Sequence, residues 1–293
     1  ETIATTRIGV LPGVVPCRAL DLAVPGAVAA LIAEVRPRWI VNAAAYTAVD
    51  RAEDEPALAQ RVNGDVLGEI GNAARAIGAR VLHFSTDYVF SGEGTRPWRE
   101  DDATAPRNAY GRSKLAGEQA LIASGCAFLL LRTAWVYAAR GKNFLLTMLR
   151  VAAQRDELTV VDDQVGCPTT ARFLADTSAT LIRRWLGADP AQRRQIEGIC
   201  HVVSSGQVSW CGFAREIIAR AHALGLLGRA TPVRAIRTGE YAAKAPRPAY
   251  SVLDTGRLRT QFQIVPPDWT VGLQHTLLEL SEARKSLAGA GFE

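Results

Sequence analysis

Tyr110 and Lys114 have the side chains and the spacing that proton transfer requires. Residues four positions apart lie on one face of a helix, so both side chains would reach the same point in space. An ammonium group beside a phenol favours the phenolate, and we therefore expect Tyr110 to exchange a proton near neutral pH. The same spacing also falls on surface helices by chance, so the pair alone does not define a site.

A hydroxyl group is the third part that such a site needs. The run Ser85-Thr86-Asp87-Tyr88 ends a strand-like segment upstream of the pair and can supply it. A carbonyl reduction requires one donor that polarises the oxygen and one proton source of matched pKa, and it requires no metal. A hydroxyl group near Tyr110 and Lys114 would meet these requirements.

Apolar strands alternate with amphipathic helices along the chain. We predict buried strands at Trp39–Asn42, Arg80–Phe84, Ala127–Leu131, Leu158–Val161 and Ile199–Val203. We predict helices at 28–35, 54–77, from 110 onward, 143–154, 172–186, 210–223 and 268–283, and an irregular segment at 224–267. This alternation is typical of right-handed βαβ units, so the predicted fold class is α/β with a doubly wound, Rossmann-like parallel sheet. Ligands bind beyond the carboxyl ends of such strands, where Ala43–Thr47, Ser85–Tyr88 and Arg132–Tyr137 lie.

The composition limits the possible functions and locations. The 293 residues are 48% hydrophobic and 22% charged, which is ordinary for a globular protein. The net charge of +5 is dispersed without a basic run, so we expect no nucleic-acid partner. No apolar run reaches membrane-spanning length, and we expect no membrane partner. The five scattered cysteines favour a reducing, cytoplasmic location.

Six motifs follow one another in the order found in one known family. They are VNAAAYTAVDRAE (Val41–Glu53), HFSTDYVFSG (His83–Gly92), YGRSKLAGE (Tyr110–Glu118), LRTAWVYA (Leu131–Ala138), DDQVGCPTTA (Asp162–Ala171) and PDWTVGL (Pro267–Leu273). The chain resembles the dTDP-4-dehydrorhamnose reductases, which are extended short-chain dehydrogenase/reductases. The resemblance implies a dinucleotide-binding core at 1–155, and a region at 156–293 that completes this core and forms a smaller C-terminal substrate-binding lobe.

The resemblance also implies roles for individual residues. Tyr110 would be the general acid in the reduction of the sugar's 4-keto group, and Lys114 its electrostatic partner. Thr86 would bind the keto oxygen. The hydride would come from NADPH or NADH, and Lys114, together with Tyr110, would also contact this cofactor.

Two further segments match the family's cofactor-binding positions. Ala45, Tyr46 and Thr47 match the loop that passes the diphosphate and ribose, and Asp21 and Leu22 match positions that flank the adenine. Asp21 has an alternative interpretation as the N-cap of the helix that follows. Arg7 and Arg18 are the candidates for binding a 2′-phosphate.

On the substrate side, the resemblance assigns Asp87, Tyr88, Trp135 and Arg247 to the nucleotide sugar. Each has a structural alternative. Asp87 and Tyr88 can cap or pack their loop, Trp135 can be a core aromatic residue, and Arg247 can brace the lobe.

The sequence departs from the family at two places. The glycine-rich loop is missing: only Gly9 and Gly13 occur near the start, with no strand expected before them, and we expect the family pattern to be entered just after that loop. The chain starts at Glu1 and its only methionine is Met148, so we expect translation to begin upstream.

The second departure concerns a metal and assembly. Some family members bridge a dimer through magnesium bound by a glutamate, at the position that Arg172 occupies here. A cationic side chain does not ligate a cation, so we expect no metal, and a monomer or weak homodimer. Two functional alternatives stay open: a reductase or epimerase for another nucleotide sugar, and a non-catalytic nucleotide-binding regulatory subunit of the same fold.

Overall fold

Strands and helices alternate along the chain as the apolar pattern predicts. The computed structural model describes residues 2–12 and 15–289. The strands are β1 (Ala4–Thr6), β2 (Cys17–Ala19), β3 (Trp39–Asn42), β4 (Arg80–Thr86), β5 (Ala127–Thr133), β6 (Val136–Tyr137), β7 (Leu158–Val161), β8 (Val165–Gly166), β9 (Thr169–Thr170), β10 (Gly198–His201), β11 (Val208–Ser209) and β12 (Val233–Ile236). The helices are α1 (Ala27–Val35), α2 (Val49–Ala52), α3 (Pro56–Gln60), α4 (Val66–Ile77), α5 (Ala109–Ala123), α6 (Phe144–Ala152), α7 (Ala171–Gly187), α8 (Pro190–Ile196), α9 (Trp210–Ala223), α10 (Gly256–Thr260) and α11 (Trp269–Gly289).

The central sheet consists of four parallel strands in the order β10-β5-β4-β3. Successive residues of a strand face opposite sides of a sheet, and Val81 and Leu82 of β4 accordingly pack into two different cores. Val81 shares its core with α1, α4 and α5, and Leu82 shares its core with α7 and α10. Helices therefore cover both faces, and the prediction of a doubly wound parallel sheet is confirmed.

The connection between β4 and α5 holds the predicted site. Helix α5 begins at Ala109 because the carboxamide oxygen of Asn108 accepts the backbone N–H of Gly111 at 2.7 Å. Gly111 lies against the backbone of Tyr88, so closely that a β-carbon there would clash with it. The start of α5 is thereby packed directly against the residues that follow β4.

A second core lies outside the central sheet. Helices α6, α9 and α11 and strand β7 form it, and β7 pairs in parallel with β12. Its largest buried side chains include Phe213 and Tyr137. Helix α6 lies before residue 155 but packs in this core together with helices that follow it. The second core therefore contains residues from both predicted domains, 1–155 and 156–293, and the domain boundary stays a prediction.

The structure corrects four details of the predicted pattern. A strand does precede Gly9: β1 pairs in parallel with β2, and its three residues are too few to show a periodicity. The segment predicted to be irregular contains β12 and α10, and the short helices α2 and α8 were not predicted. Val41 of β3 was expected to be buried but is 51% exposed. Within the described ranges β3 bonds only to β4, so its other edge is open.

A helix that crosses a membrane must be both long and apolar. Of the helices in the described residues, none combines the length and apolarity needed to cross a bilayer.

Candidate active site

Thr86 and Tyr110 meet where β4 ends and α5 begins. Thr86 is the last residue of β4, and its hydroxyl lies near enough to the phenol of Tyr110 to lower the pKa of that phenol. The same hydroxyl donates to Oδ1 of Asp87 at 2.8 Å and accepts the backbone N–H of Tyr88 at 3.2 Å. The ring of Tyr88 packs edge-on against that of Tyr110, with centroids 5.5 Å apart. The predicted hydroxyl and phenol are thus brought together in one place.

The proton affinity of Tyr110 differs from the expectation. Burial, with the Asp87 carboxylate as a smaller cause, raises the pKa of Tyr110 to about 12, and the nearby Thr86 hydroxyl opposes this shift. We had expected Lys114 to lower this pKa toward neutrality. The lysine instead makes its hydrogen bonds elsewhere, so the phenol keeps its proton throughout the neutral range.

Lys114 is only 1% exposed and lies one turn beyond Tyr110. Its Nζ donates to the carbonyl oxygen of Phe84 at 2.6 Å and lies 3.0 Å from Nε2 of His83. Burial lowers the pKa of Lys114 to about 7, while the carboxylate of Glu118 raises it. Lys114 is therefore a lysine that changes charge near neutral pH.

Asp87 and Tyr88 line the other side of the phenol. Burial raises the pKa of Asp87 to about 6, against the lowering effect of the nearby Thr86 and Ser251 hydroxyls. Burial also raises the pKa of Tyr88, with the Asp87 carboxylate as a second cause. Three buried polar atoms near the carboxyl ends of β4 and β5 have no partner within the described part of the chain: Ser85 Oγ, Asp87 Oδ2 and Thr133 Oγ1. Unpaired buried polar atoms are expected where a ligand completes a site.

The loop that follows β3 is held firmly although its side chains are small. Asn63 accepts the backbone N–H of Tyr46 at 2.8 Å, and its Nδ2 donates to the carbonyl oxygen of Tyr46 and to Oγ of Ser113, both at 3.0 Å. The phenol of Tyr46 donates to Glu55 at 2.6 Å. Thr47 is exposed and Ala45 is half-buried. The loop is therefore held at a fixed position next to α5.

Asp21 and Leu22 lie just beyond β2. Oδ1 of Asp21 accepts the backbone N–H of Ala23 at 2.9 Å, which closes a turn. The interpretation of Asp21 as a helix N-cap is wrong, because α1 begins at Ala27 and its N-cap is Gly26. Leu22 packs on the core formed by α1 and α4. Among the bonds of the described residues, none connects Asp21 to the catalytic group.

Trp135 lies two residues beyond β5 in an unusual conformation. Its φ of 49° is in the left-handed region, and its ring stacks on Trp210 with centroids 3.4 Å apart and planes 4° apart. A β-carbon on Gly166 would clash with the Trp135 ring as well. The tryptophan is half-buried and packs against both the second core and a cluster around Val89 and Cys167. It is thus a rigid aromatic residue between the sheet and the second core.

Arg247 forms a bidentate ion pair with Asp50, with distances of 2.9 and 2.7 Å. The backbone N–H of Ala245 also donates to Asp50, and the carboxamide of Asn108 donates to the carbonyl of Pro246. The pKa of Asp50 is lowered, chiefly by the hydrogen bond from Arg247. These contacts favour the bracing interpretation of Arg247, which stays next to Tyr88 and influences its pKa.

The sequence analysis did not identify three residues of this site, which are Asn42, Asn63 and His83. The bond between His83 and Lys114 spans 31 positions and that between Asn63 and Ser113 spans 50, so no local spacing could have indicated them. The one available signal was that a polar side chain ends or interrupts an otherwise apolar strand at Asn42 and His83.

A doubly wound sheet with threonine, tyrosine and lysine at the carboxyl end of a strand defines the short-chain dehydrogenase/reductase class of nucleotide-binding enzymes. The comparisons with known proteins narrow this class. The family described as "RmlD substrate binding domain" matches residues 2–282. The dTDP-4-dehydrorhamnose reductase of Escherichia coli K12 is 45% identical over 260 residues, which cover 89% of this chain and 85% of the relative. The chain belongs to the dTDP-4-dehydrorhamnose reductase family, and the resemblance found in the sequence is confirmed.

Solved structures agree with this assignment. The dTDP-4-dehydrorhamnose reductase of Bacillus anthracis in complex with NADP has a TM-score of 0.82 and 32% identity, covering 94% of this chain and 98% of that one. A Clostridium acetobutylicum orthologue also has a TM-score of 0.82 at 32% identity, over 95% and 98% of the two chains. The Rossmann-like fold class is confirmed.

Proposed function

We propose that this chain reduces the 4-keto group of dTDP-4-dehydrorhamnose to give dTDP-L-rhamnose, with NADPH or NADH as the reductant. The observation that carries the proposal is the group of buried Thr86, half-buried Tyr110 and buried Lys114 where β4 ends and α5 begins, in a chain of this family. The hydride comes from the nicotinamide when it is bound.

Tyr110 is the general acid in this proposal. Reduction of a ketone develops negative charge on oxygen, and that oxygen takes the phenolic proton. The raised pKa of Tyr110 supports the role, because the phenol holds its proton until an alkoxide forms. Thr86 donates to the same oxygen by turning its hydroxyl away from Asp87. Lys114, one turn along α5, places a positive charge near the phenolate that remains.

The residues present fit a nicotinamide dinucleotide. Ala43 and Ala44 are exposed at the end of β3, so the backbone there is open to a bound diphosphate and ribose. Asn63 fixes this loop to α5 through Ser113, which sets the loop at a constant position relative to Tyr110. NADP in the Bacillus anthracis relative supports this class of cofactor. We assign the adenine side to Asp21 and Leu22, and the sugar side to Asp87, Tyr88, Trp135 and Arg247.

Assembly and location are part of the same proposal. Arg172 pairs with Glu279 at 3.3 Å instead of offering a carboxylate, which supports a monomer or weak homodimer without a bridging metal. The five cysteines are unpaired thiols, which is typical of the reducing cytoplasm. A dimer that is lost on chelation would contradict the metal-free assembly.

The test is oxidation of NADPH in the presence of dTDP-4-dehydrorhamnose, with the product identified by NMR. Other nucleotide 4-keto sugars serve as comparison substrates. Tyr110→Phe should lower the turnover number by about 100-fold or more and leave NADPH affinity, measured by fluorescence titration, nearly unchanged. Near-normal turnover of this variant would remove Tyr110 from the acid role.

The substrate panel separates the alternatives. Preference for another sugar would replace the proposed substrate but keep the enzyme class. NADPH binding without turnover of any sugar would favour the regulatory subunit. Tyr241→Phe is a matched control, because Tyr241 is an exposed tyrosine whose loss should not change turnover.

A further inference from the structure

A row of buried polar side chains crosses from the sheet to the catalytic helix. Asn42 and His83 are register partners on β3 and β4, and Nδ2 of Asn42 lies 3.1 Å from Nδ1 of His83. Nε2 of His83 lies 3.0 Å from Nζ of Lys114. Asn42, His83 and Lys114 are 7%, 0% and 1% exposed. Each ring nitrogen of His83 therefore has one protein partner and no access to bulk water.

The direction of these hydrogen bonds is tied to the charge of Lys114. The backbone N–H of Ala44 can only donate, and it donates to Oδ1 of Asn42 at 3.2 Å. The Nδ2 group of Asn42 then donates to Nδ1 of His83, so the imidazole proton lies on Nε2 and points at Nζ. An imidazole N–H needs an acceptor, and Nζ accepts only as a neutral amine.

The ammonium form of Lys114 needs the opposite direction. Nε2 must then accept from Nζ, the imidazole proton must lie on Nδ1, and Asn42 must turn its oxygen to receive it, which breaks the bond from Ala44. The carbonyl of Phe84 accepts from Nζ in both cases. The pair of Asn42 and His83 can thus satisfy either charge state of the lysine without moving Nζ.

The charges around Lys114 favour a neutral hydrogen-bond partner such as His83. Burial and the neighbouring lysine hold the pKa of His83 well below its usual range, so the imidazole is neutral and adds no repulsion. Glu118 on α5 raises the pKa of Lys114, and it is itself bonded to Arg132 of β5. Tyr110, one turn earlier, is protonated at neutral pH.

His201 shows what a histidine that only fills the core looks like. It is also 0% exposed and lies on β10 of the same sheet. Its Nδ1 faces the carbonyl of Asp254 at 3.2 Å, and its Nε2 has no partner among the described residues. The second nitrogen of His83, in contrast, bonds the lysine of the proposed catalytic group.

We propose that His83 is the positioning residue of Lys114 and that Asn42 orients His83 for this task. The imidazole holds Nζ beneath Tyr110, accepting from it as an ammonium and donating to it as an amine. His83 itself touches neither substrate nor cofactor. The inference rests on the proposed function, because it assumes that Lys114 serves the reduction.

The kinetic test compares His83→Leu, His83→Gln and the matched control His201→Leu. In His83→Leu the ammonium loses an acceptor, so its pKa falls and the basic limb of the pH profile of turnover moves to lower pH by about half a unit or more. We expect turnover at neutral pH to fall by about tenfold or more, and KM for NADPH to rise, because Nζ is no longer held. Glutamine can both donate and accept, so His83→Gln should stay within about threefold of the wild type. His201→Leu should leave the pH profile in place.

A second measurement uses the unmodified protein and needs no substrate. The ¹⁵N chemical shifts of His83 report which ring nitrogen carries the proton. We expect the proton to move from Nδ1 to Nε2 as the pH rises through the titration of Lys114. One unchanging tautomer over this range would overturn the inference, as would a His83→Leu profile with an unshifted basic limb. A wild-type protein inactive on dTDP-4-dehydrorhamnose would contradict the proposed function alone.

Discussion

The buried ion pair between Arg132 and Glu118 allows a quantitative prediction of stability. The two side chains are 3% and 2% exposed, and they share two hydrogen bonds of 3.0 and 2.7 Å. Glu118→Gln removes the negative charge and leaves Arg132 buried with one neutral acceptor in place of a carboxylate. Breaking a buried pair in this way costs about 3–5 kcal/mol of the free energy of unfolding.

We take the lower end of that range, about 3 kcal/mol, because glutamine keeps one oxygen that can accept from the guanidinium. In a chain of this length, this loss corresponds to a fall of about 5 °C in the melting temperature. The same variant also lowers the pKa of Lys114, since Glu118 is the charge that raises it. The free energy is measured by urea unfolding, and the melting temperature by calorimetry.

Two control variants separate the loss of the pair from general damage. Replacing both Glu118 and Arg132 with methionine leaves no unpaired charge and should recover most of the lost stability. Arg172→Ala breaks the exposed pair with Glu279, in which the side chains are 69% and 38% exposed, and should change the melting temperature by no more than about 1 °C. A melting temperature of Glu118→Gln within about 1 °C of the wild type would refute the reasoning.

Two further predictions concern Asp87 and Gly166. Burial raises the pKa of Asp87 from 3.8 in the unfolded chain to about 6 in the folded one, so its contribution to stability is complete below pH 4 and is lost as the pH rises through 6. Asp87→Asn should therefore be more stable than the wild type at neutral pH, by on the order of 2 kcal/mol in the free energy of unfolding, with no gain near pH 4. Urea unfolding at pH 7 and at pH 4 checks this. An equal gain at the two pH values would contradict the raised pKa of Asp87. Gly166→Ala places a methyl group against the ring of Trp135, and should cost about 1–3 kcal/mol of the free energy of unfolding and disturb the tryptophan fluorescence. Gly187→Ala, where a β-carbon meets nothing, is its control and should leave both quantities near the wild-type values.

Short-range patterns were sufficient to predict most of the fold. The apolar runs of β3, β4 and β5 and the periodicity of α1 and α4 predicted the strands, the helices and the parallel sheet, because each depends on residues a few positions apart. The meeting of Thr86 and Tyr110 followed from the same reasoning, since both lie at the carboxyl end of the sheet.

Contacts between distant residues could not be predicted in this way. The bond from Lys114 to His83 spans 31 positions, and the ion pair of Arg247 with Asp50 spans 197. No periodicity encodes such pairings, which arise only when the sheet places the strands side by side. The pKa of Tyr110 differs from the prediction for a related reason. The partners of Lys114 come from β4, and the burial that raises the pKa of the phenol arises only when the chain folds, so the sequence shows neither.

The strand order of the sheet has a consequence for the newly synthesised chain. One edge of β5 pairs with β10, and β10 is synthesised much later. Strand β5 ends at residue 133 and β10 begins at residue 198, which is 65 residues further along the chain. At about 5–20 residues per second, the ribosome needs roughly 3–13 s to add that stretch. During this interval the backbone of Leu129–Leu131, part of an apolar strand, offers unpaired N–H and C=O groups to any other strand or to a chaperone. The ion pair with Asp50 forms later still, after Arg247 is synthesised, so Thr86, Tyr110 and Lys114 are made long before the segment that braces their surroundings.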